Sequence, residues 1–462
     1  MTGAAQRIAA LWPTPASWEW ATVGTIGSVT LGRQRSPENH VGPHMRRYVR
    51  AANITWDGWD LSDVKEMNFD AADFERFRLL PGDVLVNEGS GSAKEVGKPA
   101  IWLGQIANCC FQNTLIRVQP RACTSEFLRA YFLFSALTER FVSSTQGVNI
   151  YHIGKDGVAR FPIPIPPTSE QRRIVAKVGT LSAKSKRSRD ELDHIPRLVE
   201  KYKQAILAAA HTEAQRRVAQ PVTLGSISTE VRNGLSKKPS DNPAGSPILR
   251  ISAVRPLRVN LQDIRYYPPA EIVPTTSLLR DGDLLFTRYN GNPNLTAVCG
   301  MVRGLTRDTA YPDKLIRVRL ADAADPRFVE IICASSEARD WLAPHIKTAA
   351  GQHGISGSDL KNLPLPLPST PDQAAIVRRT ETALAWIDRI AVEATSARRL
   401  IDHLDQAILA KAFQGELVPQ DLSDEPASVL LERIHAEREA IHGGNGKTER
   451  AINAKRRRGR RQ

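Results

Sequence analysis

FPIPIPPTSEQ, Phe161–Gln171, is answered 202 residues later by LPLPLPSTPDQ, Leu363–Gln373. Proline lacks an N–H and fixes φ. Alternating Pro162, Pro164, Pro166 and Pro167 therefore exclude a helix or a central strand and predict a stiff extended connector. A helix should start straight after it. Thr168 or Ser169 can cap that helix, with Glu170 in its first turn. In the second copy Pro364, Pro366 and Pro368 lead to Thr370 and Pro371, and proline suits the first helical position.

Other echoes keep the same order. Gly82-Asp83 recurs as Gly282-Asp283, and Leu115-Ile116-Arg117-Val118 as Leu315-Ile316-Arg317-Val318, both at an offset of 200. Tyr48-Val49-Arg50 recurs as Ile248-Leu249-Arg250, and Gln204–Ala208 as Gln406–Ala410. Solenoid units run to roughly 20–50 residues, so a period this long means that a whole domain has been duplicated. Short β-like runs alternate with Gly- and Asn-rich loops in each copy, and a helix is expected over Ser125–Ser143. The fold class is read as α+β: two similar domains of antiparallel strands plus helices, separated by two long helices packed as an antiparallel coiled coil.

Those helices carry the clearest periodicity. Alternating steps of four and three place Ile174, Val178, Leu181, Leu192, Ile195, Val199, Tyr202 and Ile206 on one seam. Ile376, Ile387, Ile390, Ile401, Leu404 and Ile408 form the other. Pro196 is expected to kink or restart the first helix. The resulting organisation is a leader over 1–17, a first domain over 18–167 and a central helical region over 168–213. A second domain over 219–368, a distal helical region over 369–415, an extension with a short helix over 416–442 and a disordered basic tail over 443–462 complete it.

The 462 residues, 41% hydrophobic and 24% charged, describe a soluble globular chain with room for about three domains. No apolar run reaches the roughly 18–20 residues of a membrane span, and no secretory signal is evident, so a cytoplasmic location is expected. Five cysteines (Cys109, Cys110, Cys123, Cys299, Cys333) without zinc spacing point to buried thiols and no metal. The net charge of +14 suits a polyanionic partner, although residues 447–462 alone hold eight basic side chains against Glu449.

No catalytic set can be read. Gly89–Lys94 is glycine-rich but lacks the Gly-Lys-Ser/Thr of a phosphate loop. Asn292-Pro293-Asn294-Leu295 lacks the second proline and the aromatic of an adenine-methyltransferase motif and reads as a turn. The loops instead offer base-reading chemistry, since Arg and Lys suit guanine and Asn and Gln suit adenine. The candidates in the first domain are Arg33, Arg35, Arg46, Arg47, Arg50, Asn87, Ser90, Lys94, Asn149, Tyr151 and His152. In the second they are Arg232, Asn233, Lys237, Lys238, Arg250, Arg288, Tyr289, Asn290, Asn292, Gln352 and His353. Glu88 aligns with Arg288, so the two domains should read different sequences.

The chain resembles the specificity subunit of a Type I restriction–modification system. The residues that carry the likeness are Tyr48-Val49-Arg50 with Asn53-Ile54, and Ile248-Leu249-Arg250. To these are added Pro81–Leu85, Asp281–Leu285, Pro312–Arg317, both proline junctions and Ile408–Leu417. Ala209–Glu213 departs from the Phe-x-Gly-x-Leu that ends the second helix. The resemblance implies two target-recognition domains, each reading one half of a bipartite, asymmetric site in double-stranded DNA. It implies helical regions that set the spacer and dock two methyltransferase (modification) subunits, with restriction/translocase subunits joining them. S-adenosylmethionine, ATP and Mg would be bound by those partners, and this chain would bind no cofactor and catalyse nothing. Two alternatives stay open on the residues alone: a self-contained methyltransferase or nuclease, and a coiled-coil scaffold that does not touch DNA.

Overall fold

The computed structural model describes residues 12–90, 92, 95–141, 151–349 and 351–437. The chain divides into two units: one holds the residues up to Asp190 and those from Arg398 onward, the other Glu191–Ala397. Both are α+β and share one plan. In the first, strands Gly27–Leu31, Leu115–Pro120, Val84–Asn87 and Pro99–Ile101 form an antiparallel sheet in that order. In the second, Ser228–Asn233, Leu315–Leu320, Leu284–Thr287 and Cys299–Met301 do the same.

The repeated motifs are parts of one device. Leu115–Val118 and Leu315–Val318 are buried throughout, because each strand is internal to its sheet. The arginine inside each run must therefore find partners within the protein. Arg117 donates to the carbonyls of Arg78 (2.7 Å) and Arg76 (3.0 Å) and lies 3.6 Å from Asp83. Arg317 donates to the carbonyls of Thr276 and Leu278 (both 3.0 Å) and to Glu230 (2.6 Å). Asp83 and Asp283 also cap their own turns, accepting from the backbone N–H of Leu80 (2.9 Å) and Arg280 (2.8 Å). The glycine before each has φ of +95° or +87°, a conformation that favours glycine. Burial holds the Asp83 carboxyl above its ordinary range, against the pull of the Leu80 N–H and Gln119.

The proline runs are more than connectors. Pro162–Ile165 pairs antiparallel with Glu19–Thr22, and Pro364–Leu365 with Val222–Thr223. Alternate residues of a two-stranded ladder turn their N–H outward, so Pro162 and Pro164 can occupy positions where no donor is needed.

A glutamine then locks each long helix to its own domain. Gln171 Nε2 donates to the carbonyls of Ala122 (3.1 Å) and Pro166 (3.0 Å), and its Oε1 accepts from the Thr124 N–H (3.2 Å). Gln373 repeats this with Ala323 (3.0 Å), Pro368 (2.9 Å) and the Asp325 N–H (2.9 Å). Both side chains are buried.

The helices span Thr168–Arg216 and Thr370–Gln414. Pro196 lies inside the first without restarting it; the position is exposed, so water can satisfy the carbonyl that loses its donor. Within the first unit Arg189 pairs with Asp405 (2.7 Å) and Asp402 (3.5 Å). Within the second, Lys203 pairs with Asp388 (2.6 Å), and Glu213 and Arg217 reach Arg379 and Asp372. Rising numbers meet falling ones, so the segments run antiparallel in that unit.

The covered face drifts away from the heptad expected. It runs Ile174, Val178, Leu181, Ser185, Arg189, Leu192, Ile195, Val199, Lys203, Leu207, Ala210, Ala214. That is 214 − 174 = 40 residues in eleven steps, close to the 3.6 per turn of a straight helix. Tyr202 consequently leaves the seam at 57% exposure, and Leu404 does so at 52% in the other helix, where Asp405 takes the inward place.

Three further expectations are corrected. The helix from Ser125 ends at Leu137, and Glu139 then turns the chain at φ +53°. The segment read as a leader is anchored at Trp12, which is buried and donates its Nε1–H to the Phe413 carbonyl (2.9 Å). The central helix runs to Arg216, three residues past its expected end. Residues 427–437 are helical, and the basic tail lies outside the described residues.

Replacing Gln171 by Met keeps the volume but strands two carbonyls and one N–H. It should destabilise the first unit by about 2–4 kcal/mol in urea unfolding, with Gln373→Met doing the same to the second. Superimposable unfolding curves would show that the clamp contributes nothing.

Candidate nucleic-acid interface

In each domain the sheet has two distinct ends. The end at Val84 and Pro120, or Leu284 and Leu320, leads to the Gly-Asp turn and the glutamine clamp. The other end, at Leu31, Asn87 and Leu115, or Asn233, Thr287 and Leu315, opens into the loops that hold most of the candidates. The strands thus carry the helix at one edge and the loops at the opposite edge.

Many basic candidates in the first domain are engaged internally. Arg33 pairs with Asp73 (2.7 Å), bonds Asn39 (3.0 Å) and lies 5.0 Å over the Phe69 ring. Arg46 lies over Phe74 (5.2 Å), Arg47 stands 3.7 Å from Glu66 and Arg50 2.6 Å from Asp63. Asn87 is buried, its Nδ2 3.3 Å from the Glu95 carbonyl. Ser90 Oγ accepts from the Ser92 N–H (3.1 Å), and Tyr151 packs against the core. Arg35 is exposed. Lys94 and Asn149 lie outside the described residues.

In the second domain, too, basic candidates meet acids. Arg232 is 3.4 Å from Glu230, Lys237 pairs with Glu271, and Arg250 is 3.9 Å from Asp263. Asn233 and Lys238 are exposed. Asn290 and Asn292 close successive turns by accepting from the N–H two residues on (3.0 and 2.9 Å), which confirms the Asn292–Leu295 segment as a turn. Tyr289–Asn290, Gln352–Gly354 and Lys347–Ala349 form a three-stranded ribbon, with Gln352 and the whole Lys347 strand exposed. His353 shares a hydrogen bond with Thr348 (2.9 Å).

One cluster occurs in both domains. His152 Nδ1 lies 2.8 Å from Glu88 Oε2, and the Arg288 guanidinium lies 4.7 Å from the Tyr289 ring centroid. The backbone N–H of Glu88 bonds the Thr114 carbonyl (2.9 Å) and that of Arg288 the Lys314 carbonyl (2.8 Å), so the two positions are equivalent. Lys314 and Lys347 are exposed beside this site and were not singled out from the sequence. Lys347 sits in a short strand with no hydrophobic pattern to mark it. Among the described residues, no group of three His, Cys, Asp or Glu is placed to hold a metal, and no helix is long and apolar enough to cross a membrane.

The departure at the first helix's end also has a structural counterpart. Phe413 packs on Phe127, Tyr131 and Phe134, with centroids 5.0–5.5 Å away. Its equivalent at offset 202 is His211, buried and hydrogen-bonded to Ser335 (3.0 Å) instead.

Known proteins resemble the chain over most of its length. Residues 73–196 match the family model described as Type I restriction modification DNA specificity domain. The chain is 35% identical over 452 residues to the Type I restriction enzyme EcoKI specificity subunit of Escherichia coli (strain K12), covering 93% of this chain and 97% of that protein. It is 30% identical, with the same coverage, to the StySPI specificity subunit of Salmonella potsdam. Its fold is similar to the HsdS subunit from Thermoanaerobacter tengcongensis: TM-score 0.57, 20% identity, 88% of this chain and all of that one. A chain from a structure concerned with complex assembly and conformational transition of the type I R-M system gives TM-score 0.63 at 19% identity, again over 88% of this chain and all of that one. On this similarity, at 35% identity over 93% of its length, the chain belongs to the family of Type I restriction enzyme specificity subunits.

Proposed function

We propose that this chain is the DNA-recognition subunit of a Type I restriction–modification complex and performs no chemistry itself. Each domain reads one half of a bipartite, asymmetric site in double-stranded DNA. The observation that carries this reading is the duplication with divergence: two equivalent sheets, each clamped to a long helix at one end, present different side chains at the other.

The helices act as a spacer and as a docking surface for two methyltransferase subunits. Large apolar side chains stand exposed on them: Leu198, Tyr202, Trp386 and Val392 in the second unit, Leu400 and Leu404 in the first. Exposed side chains of this kind favour a protein partner over solvent. S-adenosylmethionine, ATP and Mg belong on the methyltransferase and restriction/translocase subunits. The bases that donate to or accept from the loops are reached in the duplex, whereas the adenine to be methylated is flipped out by the partner.

Two outcomes are expected. Four residues added to each helix, near Ser185 and near Asp405, lengthen the strut by about 6 Å and should widen the unread spacer by about one to two base pairs. Mapping of N6-methyladenine in cells carrying the variant reads this directly, and an unchanged spacer would remove the helices from that role. Purified chain incubated alone with duplex DNA and labelled S-adenosylmethionine should transfer no methyl group. Transfer restored by adding the methyltransferase subunits completes the test, and transfer by the chain alone would make it an enzyme.

A further inference from the structure

The cluster at Glu88 and Arg288 contains an exchange that the sequence repeat conceals. In the first domain Gly89 pairs with His152 across a two-stranded ladder. A Cβ on Gly89 would lie 2.4 Å from His152 Nδ1, so the imidazole covers that backbone and requires glycine there. In the second domain the equivalent pair is Tyr289 with Gly354. A Cβ on Gly354 would lie 2.5 Å from Tyr289 Cε1. Ring and glycine have changed strands, while the backbone frame has stayed. The N–H of Ile153 bonds the Glu88 carbonyl (2.9 Å), and that of Ile355 bonds the Arg288 carbonyl (3.0 Å).

Each ring engages the charged residue before the ladder. His152 bonds the Glu88 carboxylate, and Tyr289 lies under the Arg288 guanidinium. His152 is 54% exposed and the Glu88 side chain 20%. Among the described residues Arg288 has no carboxylate within ion-pair distance. Among the described residues its guanidinium makes only a long hydrogen bond, 3.4 Å to the Asp313 carbonyl. Most arginine candidates nearby, Arg232 and Arg250 among them, already face an acid. The Arg288 guanidinium therefore keeps donors for a ligand, and the ring beneath it fixes its plane.

We infer that residues 88, 89 and 152, and their counterparts 288, 289 and 354, are the specificity-determining trio of each domain. The inference rests on each domain reading its own half-site. A carboxylate accepts from an exocyclic amine, as on cytosine N4, whereas a guanidinium donates to guanine O6 and N7. The first domain thus presents an acceptor and the second a donor at the same place in the fold. The ring positions the charged group, and the glycine opposite makes room for the ring. Such an arrangement can diverge by exchanging a matched set without disturbing the sheet.

The test uses the full chain with its methyltransferase subunits, expressed as the sole Type I system of a cell, and maps N6-methyladenine motifs. Arg288→Lys keeps the charge but loses the planar fork, and should relax one position of one half-site by about tenfold or more. Glu88→Gln should relax one position in the other half. Glu88→Arg, Gly89→Tyr and His152→Gly introduced together should change a base in the first domain's half-site and leave the other half intact. If the triple variant unfolds at a lower temperature than the parent, the two single variants decide. Unaltered motifs in both single variants, or equal weakening of both halves, would overturn the assignment; equal weakening would make these residues phosphate contacts. A parental motif that proves to be one unbroken sequence would instead overturn the two-reader proposal, and this assignment with it.

Discussion

The structure depends on a buried glutamine at the root of each long helix. Gln171 and Gln373 each satisfy two carbonyls and one N–H that the turn before the helix would otherwise leave unpaired. An unsatisfied buried group is costly, so the direction in which each helix leaves its domain is set by hydrogen bonds rather than by loose packing. One side chain, used twice, fixes the root of each long helix to its own domain. The paired proline strand behind it removes backbone freedom from the same junction.

The two copies show which features are under common physical constraint. Sheet order, the Gly-Asp turn and the inward arginine are retained because each answers a burial problem. Arg117 and Arg317 sit on internal strands and need their carbonyl and carboxylate partners wherever the fold occurs. At the loop end nothing of that kind is demanded, and there the copies differ in charge, in ring type and even in which strand supplies the ring. Retention at one end and divergence at the other is the pattern expected of a scaffold that carries a variable surface.

The helix pair is less uniform than a heptad. Arg189, Lys203 and Asp405 occupy inward places and meet oppositely charged residues of the other helix. A seam holding charges is weaker than one of leucines, but it specifies which residues face each other. The drift that exposes Tyr202 and Leu404 follows from an α-helix keeping close to its own 3.6-residue period. Side chains released in this way stand exposed on the helices.

The sequence by itself determined the duplication, the α+β class, the extended proline runs, both long helices and the turn at Asn292. These are recorded in order and period along the chain, and periodicity needs no knowledge of distant neighbours. Only the tertiary structure decided which polar side chains are free. Arg33 is held by Asp73 and Arg50 by Asp63, partners 40 and 13 residues away. Loop arginines that read alike in one dimension separate into structural and available ones when folding brings acids beside some and not others. The exchange of Tyr289 for His152 across the ladder was hidden for the same reason: a contact between strands has no fixed spacing in the sequence.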